Sequence, residues 1–193
     1  MAFAFVAFLI ASSFLPTGIN LELIGLVLVY LSGIIYLHMK NPVDIAKELN
    51  KPNFARYTLI GSTVIVLSYF VISYYTNNGL MVLPVKYQIV TIGDIIYLML
   101  ACIIIPSCEE ILFRYYCYNI VKCRLGLIGG VIVSNLLFLV VHFNNPNYVV
   151  IMFQSLLFTY VYEKSKSIVA SIIVHSFNNA VWHFAAYIGM SNM

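Results

Sequence analysis

The chain has 193 residues, of which 62% are hydrophobic and only 9% charged, and its mean hydropathy is +0.95. Soluble domains carry about 25% charged residues, so this composition excludes an ordinary soluble domain and indicates an integral membrane protein. The formal net charge of +3 is too small to indicate a nucleic-acid partner. We therefore expect the chain to reside in the lipid bilayer of a cell membrane.

Apolar segments recur along the whole sequence. One helical crossing needs about 20 apolar residues, and this length predicts an all-α, multi-pass transmembrane bundle of about seven spans. The predicted spans are 1–15, 19–39, 57–75, 88–121, 125–142, 147–162 and 168–189. Because the loops are short and the sequence has no internal repeat, residues 1–193 are expected to form a single transmembrane domain with a motif-bearing core at about 88–189.

Basic residues are concentrated in three of the loops, and the alternation of spans puts these loops on one side. Their basic residues are Lys40, Lys47, Lys51 and Arg56 in the first, Lys122 and Arg124 in the second, and Lys164 and Lys166 in the third. Positive charge favours the cytoplasmic side, so we predict that all three loops are cytoplasmic. The first apolar segment has no basic residue before it and is expected to be a span, not a cleaved signal peptide.

The stretch SCEEILFRYY, residues 107–116, places Glu109, Glu110 and Arg114 inside a predicted span. Ionisable side chains in hydrocarbon cost a few kcal/mol or more and usually carry function. Helical residues four apart share a face, which predicts that Glu110 pairs with Arg114 while Glu109 points elsewhere. Glu110 is then expected to keep the geometry of the site fixed, and Glu109 is the candidate general base. The alternative is a plain ion pair, with Glu109 reaching the membrane interface.

Pro106 lies just before the acidic pair and has no backbone N–H. It predicts a kink or break in the helix at this point. Ser107 is then the expected N-cap of a new helical turn, whose dipole favours the two carboxylates that follow.

The next span contains small residues four apart, Gly126, Gly130 and Ser134, and continues to Phe138 and His142. This spacing is typical of membrane helices that approach each other closely. It predicts that His142 is carried on a tightly packed helix, near its outer end. Such a histidine is either a catalytic group or a hydrogen-bonded packing residue.

The last span places His175 and Asn179 one turn apart, with Asn178 to the side and His183 a turn later. Imidazole and carboxamide groups can donate hydrogen bonds to a developing oxyanion, as amide hydrolysis requires. The alternative is interhelical hydrogen bonding, worth about 1 kcal/mol per contact. His183 is a candidate for a supporting position behind the site.

Four cysteines fall in one window, at Cys102, Cys108, Cys117 and Cys123. They contain no C-x-x-C pair, so neither a disulfide framework nor a four-thiolate zinc site is expected. We interpret them as small packing residues.

Three motifs occur in order across residues 109–179. They are E-E-x-x-x-R at Glu109, Glu110 and Arg114, F-x-x-x-H at Phe138 and His142, and H-x-x-x-N at His175 and Asn179. In order and spacing this series resembles that of the CAAX-protease and bacteriocin-processing membrane proteases, also called the Abi family.

The resemblance implies an intramembrane endopeptidase acting on a membrane-associated peptide or protein. By that resemblance Glu109 activates a water with help from His142, while His175 and Asn179 stabilise the oxyanion. Glu110, Arg114 and the motif residue Phe138 are expected to support the site. The family includes CAAX prenyl proteases and bacterial members linked to bacteriocin maturation, self-immunity and peptide signalling.

Two histidines and a glutamate could also bind zinc, with Glu109, His142 and His175 as the alternative ligands. The sequence has no H-E-x-x-H helix, and these ligands come from three spans. A glutamate-activated water with a His and Asn oxyanion hole needs no metal, so we predict a metal-free mechanism without a cofactor.

Two non-proteolytic functions stay open. The first is a bacteriocin immunity protein of the same fold that protects without cleavage. The second is a small transporter that uses the glutamates as a proton relay, although this gives the histidine and asparagine motif no part.

Overall fold

The computed structural model describes residues 30, 32–36, 39, 44–77, 92–143 and 145–191. Every regular element in these ranges is helical, which confirms the all-α prediction. The helices are α1 (Ile45–Leu49), α2 (Phe54–Asn77), α3 (Ile92–Met99), α4 (Ile105–Glu110), α5 (Asn119–Val141), α6 (Tyr148–Ser165) and α7 (Ile168–Ser191). Two π-helical segments, Leu100–Ile104 and Ile111–Tyr118, join α3 to α4 and α4 to α5.

The helices cover the predicted spans that fall within the described residues. By length and apolar composition, two stretches there can cross a membrane, Phe54–Val71 and Ile92–Val141. Span 1–15 and most of span 19–39 lie outside the described residues. The count of seven spans and the single-domain organisation therefore stay predictions.

The continuous helical stretch Ile92–Val141 reverses direction at Gly126. This residue has φ 74° and ψ −177°, a backbone conformation that is essentially restricted to glycine. The ring of Phe138 packs 5.4 Å from that of Phe113, and these residues lie at nearly equal sequence distance on either side of the turn. The run is therefore an antiparallel hairpin, in agreement with the predicted division into spans 88–121 and 125–142.

The small-residue stripe on α5 is shorter than predicted. Gly126 does not belong to it, because its backbone is not helical. Gly130 does, since a Cβ there would lie 2.9 Å from the Cβ of Lys122 on the opposite arm of the hairpin. Ser134, one turn further on, is buried. The small residues thus allow the two arms of the hairpin to approach each other closely.

The helix α2 packs against α6 and α7. At Gly61 a Cβ would lie 2.8 Å from a methyl of Val161 and 2.9 Å from a methyl of Val174, so the absence of a side chain allows this close packing. The opposite face of α2 is apolar and exposed, for example at Leu59 and Phe70. Such a surface is suited to contact with lipid tails.

The ends of the helices near the basic loops are tied together. The Glu48 carboxylate accepts a hydrogen bond of 2.7 Å from the backbone N–H of Ile168, so it caps the N-terminus of α7. At the hairpin turn, Lys122 donates to Glu163 at the end of α6, 2.7 Å away, and Lys166 also pairs with Glu163. The three basic loops therefore lie at one end of the bundle.

The helix continues through Pro106 instead of breaking. The N–H of Ile105 donates to Leu100 O, five residues back, so a π-helical turn accommodates the proline. Ser107 Oγ donates to the Ile103 carbonyl at 2.6 Å. The prediction that Ser107 is an N-cap is therefore wrong, because its hydroxyl bonds backwards within a continuous helix.

All four cysteines are free thiols. Cys108 is buried, as expected for a packing residue, whereas Cys123 is exposed beside the hairpin turn. The packing interpretation is therefore wrong for Cys123.

Candidate active site

The hairpin brings the first two motifs together. Glu109 precedes the Gly126 turn by nearly as many residues as His142 follows it, and Glu109 Oε1 lies 3.8 Å from His142 Nε2. The other ring nitrogen of His142, Nδ1, donates to the Phe138 carbonyl at 2.8 Å. His142 therefore turns Nε2, which then carries a lone pair in the neutral ring, towards the carboxylate.

The third motif reaches the same carboxylate from α7. His175 Nε2 lies 3.7 Å from Glu109 Oε2, and His175 Nδ1 donates to Glu110 Oε1 at 2.8 Å. Glu109 is only 4% exposed and His175 also 4%. The buried carboxylate of Glu109 thus faces an imidazole on each side.

Glu110 makes the predicted ion pair with Arg114, 3.0 Å from Oε1 to Nη1. Both side chains are buried. Nη1 has no well-aligned hydrogen bond within the described part of the chain, so this contact is an ion pair. Arg114 Nη2 donates to the hydroxyl of Ser155, 2.8 Å away, and Glu110 also accepts from the hydroxyl of Ser171.

Glu110 therefore supports the site in a way that spacing alone does not indicate. It joins Arg114 on its own helix to His175 on α7. Because the Nδ1 proton of His175 is held by this carboxylate, the orientation of the ring and the exposure of Nε2 are fixed.

Aromatic rings hold the two imidazoles. The ring of His142 stacks on Phe138 at 4.4 Å between centroids, and the Arg114 guanidinium lies 4.4 Å from the centroid of the same phenylalanine. Phe158 on α6 stacks on His175 at 4.3 Å. Phe138 is thus in the predicted supporting position, whereas sequence reasoning missed Phe158, which stands outside the motifs.

Asn179 lies one turn beyond His175 and is half-buried. Its Nδ2 donates to the carbonyl of Ala101 at 3.0 Å, in the π-helical turn before Pro106. The carboxamide has two N–H groups, so one of them is left for another acceptor.

A cavity of about 400 Å³ connects these groups. Glu109, His142, His175 and Asn179 all line it. His183, the candidate supporting residue, also lines it and packs edge-on against Tyr97 at 5.8 Å. The structure therefore gathers the four predicted catalytic residues around one space between the helices.

Tyr30 is a site residue that sequence reasoning missed. Its hydroxyl donates to Glu109 Oε1 at 3.2 Å, and its side chain is 2% exposed. Tyr30 lies 79 positions before Glu109 in a segment without a motif. A single tyrosine among 15 in the chain carries no signal that could have singled it out.

The alternative zinc ligands, Glu109, His142 and His175, come from three helices and face one another. Glu109 oxygens lie 3.8 and 3.7 Å from the Nε2 atoms of His142 and His175. Within the ranges that the structure describes, no three His, Cys, Asp or Glu side chains are grouped to hold a metal ion. The metal-free mechanism stays a prediction.

Comparison with known proteins identifies the part of the chain that carries these residues. Residues 91–181 match the family described as type II CAAX prenyl endopeptidase Rce1-like. Searches of curated proteins and of solved structures found no match. The matched range contains all three motifs and most of the cavity lining. Residues 91–181, slightly less than half of the chain, therefore resemble the Rce1-like type II CAAX prenyl endopeptidases, a family of membrane-embedded proteases.

Proposed function

We propose that this protein is an intramembrane endopeptidase that hydrolyses a peptide bond by a glutamate-activated water. The observation that carries the proposal is the position of Glu109, whose carboxylate faces His142 and His175 at 3.8 and 3.7 Å inside a cavity. The family match over residues 91–181 supports peptidase chemistry in general, and the geometry supports these residues as its centre.

The attacking water fits between Glu109 and His142. Both Glu109 Oε1 and His142 Nε2 are acceptors when Nδ1 of the histidine donates to Phe138. A water that donates one hydrogen to each spans their 3.8 Å separation. Both of its lone pairs stay free, and one of them can be directed towards a substrate carbonyl carbon in the cavity.

The oxyanion is stabilised from α7. Asn179 donates the Nδ2 hydrogen that Ala101 does not use. His175 donates from Nε2 when both of its ring nitrogens carry a proton, because Nδ1 is held by Glu110. Donors fixed before the reaction lower the barrier most when charge develops on the oxygen.

Proton transfer then follows a closed cycle. Glu109 takes a proton from the water as its oxygen bonds to the carbonyl carbon, and the C=O electrons move to the oxygen. When the tetrahedral intermediate collapses, the C–N bond breaks and Glu109 returns the proton to the leaving nitrogen. Glu109 is thus regenerated, and the products are one carboxylic acid and one amine; the acid then transfers its proton to the amine, which gives a carboxylate and an ammonium group.

The proposed substrate is a membrane-associated peptide or protein. The cavity is lined by aromatic side chains beyond the catalytic groups, including Tyr69 and Trp182, so it suits an extended, largely apolar segment. Bacteriocin precursors, peptide signals and CAAX-type proteins are the candidate classes.

The deciding experiment compares membrane and secreted peptides, by mass spectrometry, from cells with the intact protein and with Glu109→Gln. This substitution keeps the shape of the side chain but removes the base, so we expect cleavage to fall by about 10²–10⁴-fold. Glu163→Gln, at the opposite end of the bundle, is the matched control and should cleave as the intact protein does.

Unchanged cleavage by Glu109→Gln rejects the proposed mechanism. If no product depends on Glu109 and the variant still protects cells against a bacteriocin, the non-proteolytic immunity function is the correct one. Membrane accumulation of each variant is measured in parallel, so that loss of protein is not mistaken for loss of catalysis.

The metal-free mechanism makes a separate prediction. Dialysis of the purified enzyme against EDTA should leave kcat/KM unchanged, because the water is bound by Glu109 and His142 alone. Loss of activity that Zn²⁺ restores would instead establish the alternative ligand set of Glu109, His142 and His175.

A further inference from the structure

Three carboxamides form a chain behind the proposed oxyanion site. Gln154 Nε2 on α6 donates to Asn178 Oδ1 at 2.8 Å. Asn178 Nδ2 donates to Asn179 Oδ1 at 3.2 Å, and Asn179 Nδ2 donates to Ala101 O at 3.0 Å. Gln154 and Asn178 are buried. We call these three side chains the carboxamide chain.

The direction of the carboxamide chain is set at the Ala101 end. A backbone carbonyl can only accept, so Asn179 must turn Nδ2 towards Ala101 and Oδ1 towards Asn178. Asn178 must then donate to Asn179 and accept from its other neighbour, which is Gln154. Each amide orientation therefore determines the next one.

The Ala101 carbonyl is open to Asn179 because of Pro106. In a helix this carbonyl would accept from the N–H four or five residues ahead. The N–H four ahead belongs to Ile105 and donates to Leu100 O, and Pro106, five ahead, has no N–H. The proline thus leaves an acceptor within the membrane for a side chain on another helix.

We infer that Gln154 and Asn178 are positioning residues that hold the carboxamide of Asn179 with its second N–H towards the substrate oxygen. The inference rests on the proposed function, in which Asn179 is an oxyanion donor. Without a donor at Gln154, Asn178 loses the partner that fixes its amide, and the carboxamide of Asn179 is held firmly only at its Ala101 end. Neither positioning residue belongs to the H-x-x-x-N pair of the third motif.

The first test is Gln154→Met, which keeps the length of the side chain and removes its donor. We expect kcat for peptide cleavage to fall about tenfold with a smaller change in KM, because a misplaced donor weakens transition-state binding while methionine keeps the length of the side chain at this position of the cavity lining. Leu156→Met, an exposed position on the same helix, is the matched control and should keep the intact kcat. An unaltered kcat in a folded Gln154→Met protein would overturn the inference.

The second test is Gln154→Glu, which distinguishes positioning from packing. A protonated glutamic acid can donate to Asn178 Oδ1, whereas the carboxylate cannot. We therefore expect kcat near the intact value at low pH and a progressive loss, relative to the intact enzyme, as pH rises. A role in packing alone would give a loss that does not depend on pH.

The carboxylate introduced by Gln154→Glu could also act on Glu109 directly, without passing through Asn178 and Asn179. The double variant Gln154→Glu/Asn178→Leu distinguishes this direct effect from an effect along the carboxamide chain. If the effect passes along the carboxamide chain, the pH dependence added by Gln154→Glu disappears in the Asn178→Leu background. Persistence of that pH dependence would overturn the inference.

An NMR measurement that does not depend on catalysis distinguishes a failure of this inference from a failure of the proposed function. With selective ¹⁵N-asparagine labelling, Gln154→Met should shift the side-chain amide resonances of both Asn178 and Asn179, and Leu156→Met should shift neither. An unmoved Asn179 resonance counts against the carboxamide chain even if Glu109→Gln is inactive. A shifted resonance in a protein whose Glu109→Gln variant still cleaves counts against the mechanism alone.

Discussion

At the residue scale, the adjacent glutamates Glu109 and Glu110 have different partners because the helix directs their side chains to different sides. Glu110 meets Arg114 one turn later and His175 across the interface, so its charge is compensated. Glu109 faces two ring nitrogens and a tyrosine hydroxyl. Glu109, which makes no ion pair with Arg114, is the carboxylate suited to accept a proton from the water.

Tyr30 gives a prediction at this scale. Tyr30→Phe removes the hydroxyl that donates to Glu109 at 3.2 Å, and a hydrogen bond to a charged group contributes about 1.5–3 kcal/mol. We expect kcat to fall about tenfold because the carboxylate is less well oriented. Steady-state kinetics of the purified enzyme measures this, with Tyr160→Phe on the exposed face of α6 as the control. Equal kcat for both variants would show that Tyr30 does not position Glu109.

At the scale of elements, two irregular turns between Ile92 and Val141 determine where the site residues lie. The turn at Gly126 folds α5 back so that His142 reaches Glu109. The π-helical turn at Leu100–Ile104 leaves the Ala101 carbonyl for Asn179. Local departures from α-helical geometry are frequent at functional sites.

Gly126 can be tested without a steric clash. A Cβ at this position meets nothing within 4 Å, so Gly126→Ala changes only the backbone, whose φ of 74° is unfavourable for alanine. We expect the free energy of unfolding to fall by about 1–3 kcal/mol, measured by denaturation in detergent. Ile128→Ala, an exposed residue beyond the turn, should change it much less. Equal stability of the two variants would mean that the turn relaxes freely.

At the scale of the whole molecule, the cavity and the basic loops lie at opposite ends of the bundle. Lys122, Glu163 and Glu48 belong to the end that contains the hairpin turn. His142 lies roughly 24 Å along α5 from that turn, at 1.5 Å per residue. If the basic loops are cytoplasmic, the site opens near the outer face of the membrane.

This sidedness is testable with thiol labelling. A membrane-impermeant maleimide should label Pro146→Cys, in the exposed loop after α5, in intact cells. The native Cys123, exposed beside the hairpin turn, should react only after permeabilisation, and Cys123→Ser identifies its signal. Labelling of Cys123 in intact cells would reverse the topology.

Periodicity along single helices was enough to predict much of this protein. Mean hydropathy and segment length predicted helical spans, and the spacing of four between Glu110 and Arg114 predicted their ion pair, because both depend only on neighbours along one helix. The three motifs also named five of the residues that line the cavity: Glu109, Phe138, His142, His175 and Asn179. Hydropathy and residue spacing along one helix are short-range properties, which can be read directly from the sequence.

Contacts between helices needed the tertiary structure. The hydrogen bond of Tyr30 to Glu109, the link from Glu110 to His175 and the approach of Gln154 to Asn178 join residues far apart in sequence. The predictions for Ser107 and Gly126 failed for a related reason: the helix kept its hydrogen bonds by adopting π geometry, and the glycine was used to turn. Which partner a buried polar group finds depends on what packing brings within about 3 Å, and no pattern along one helix contains that information.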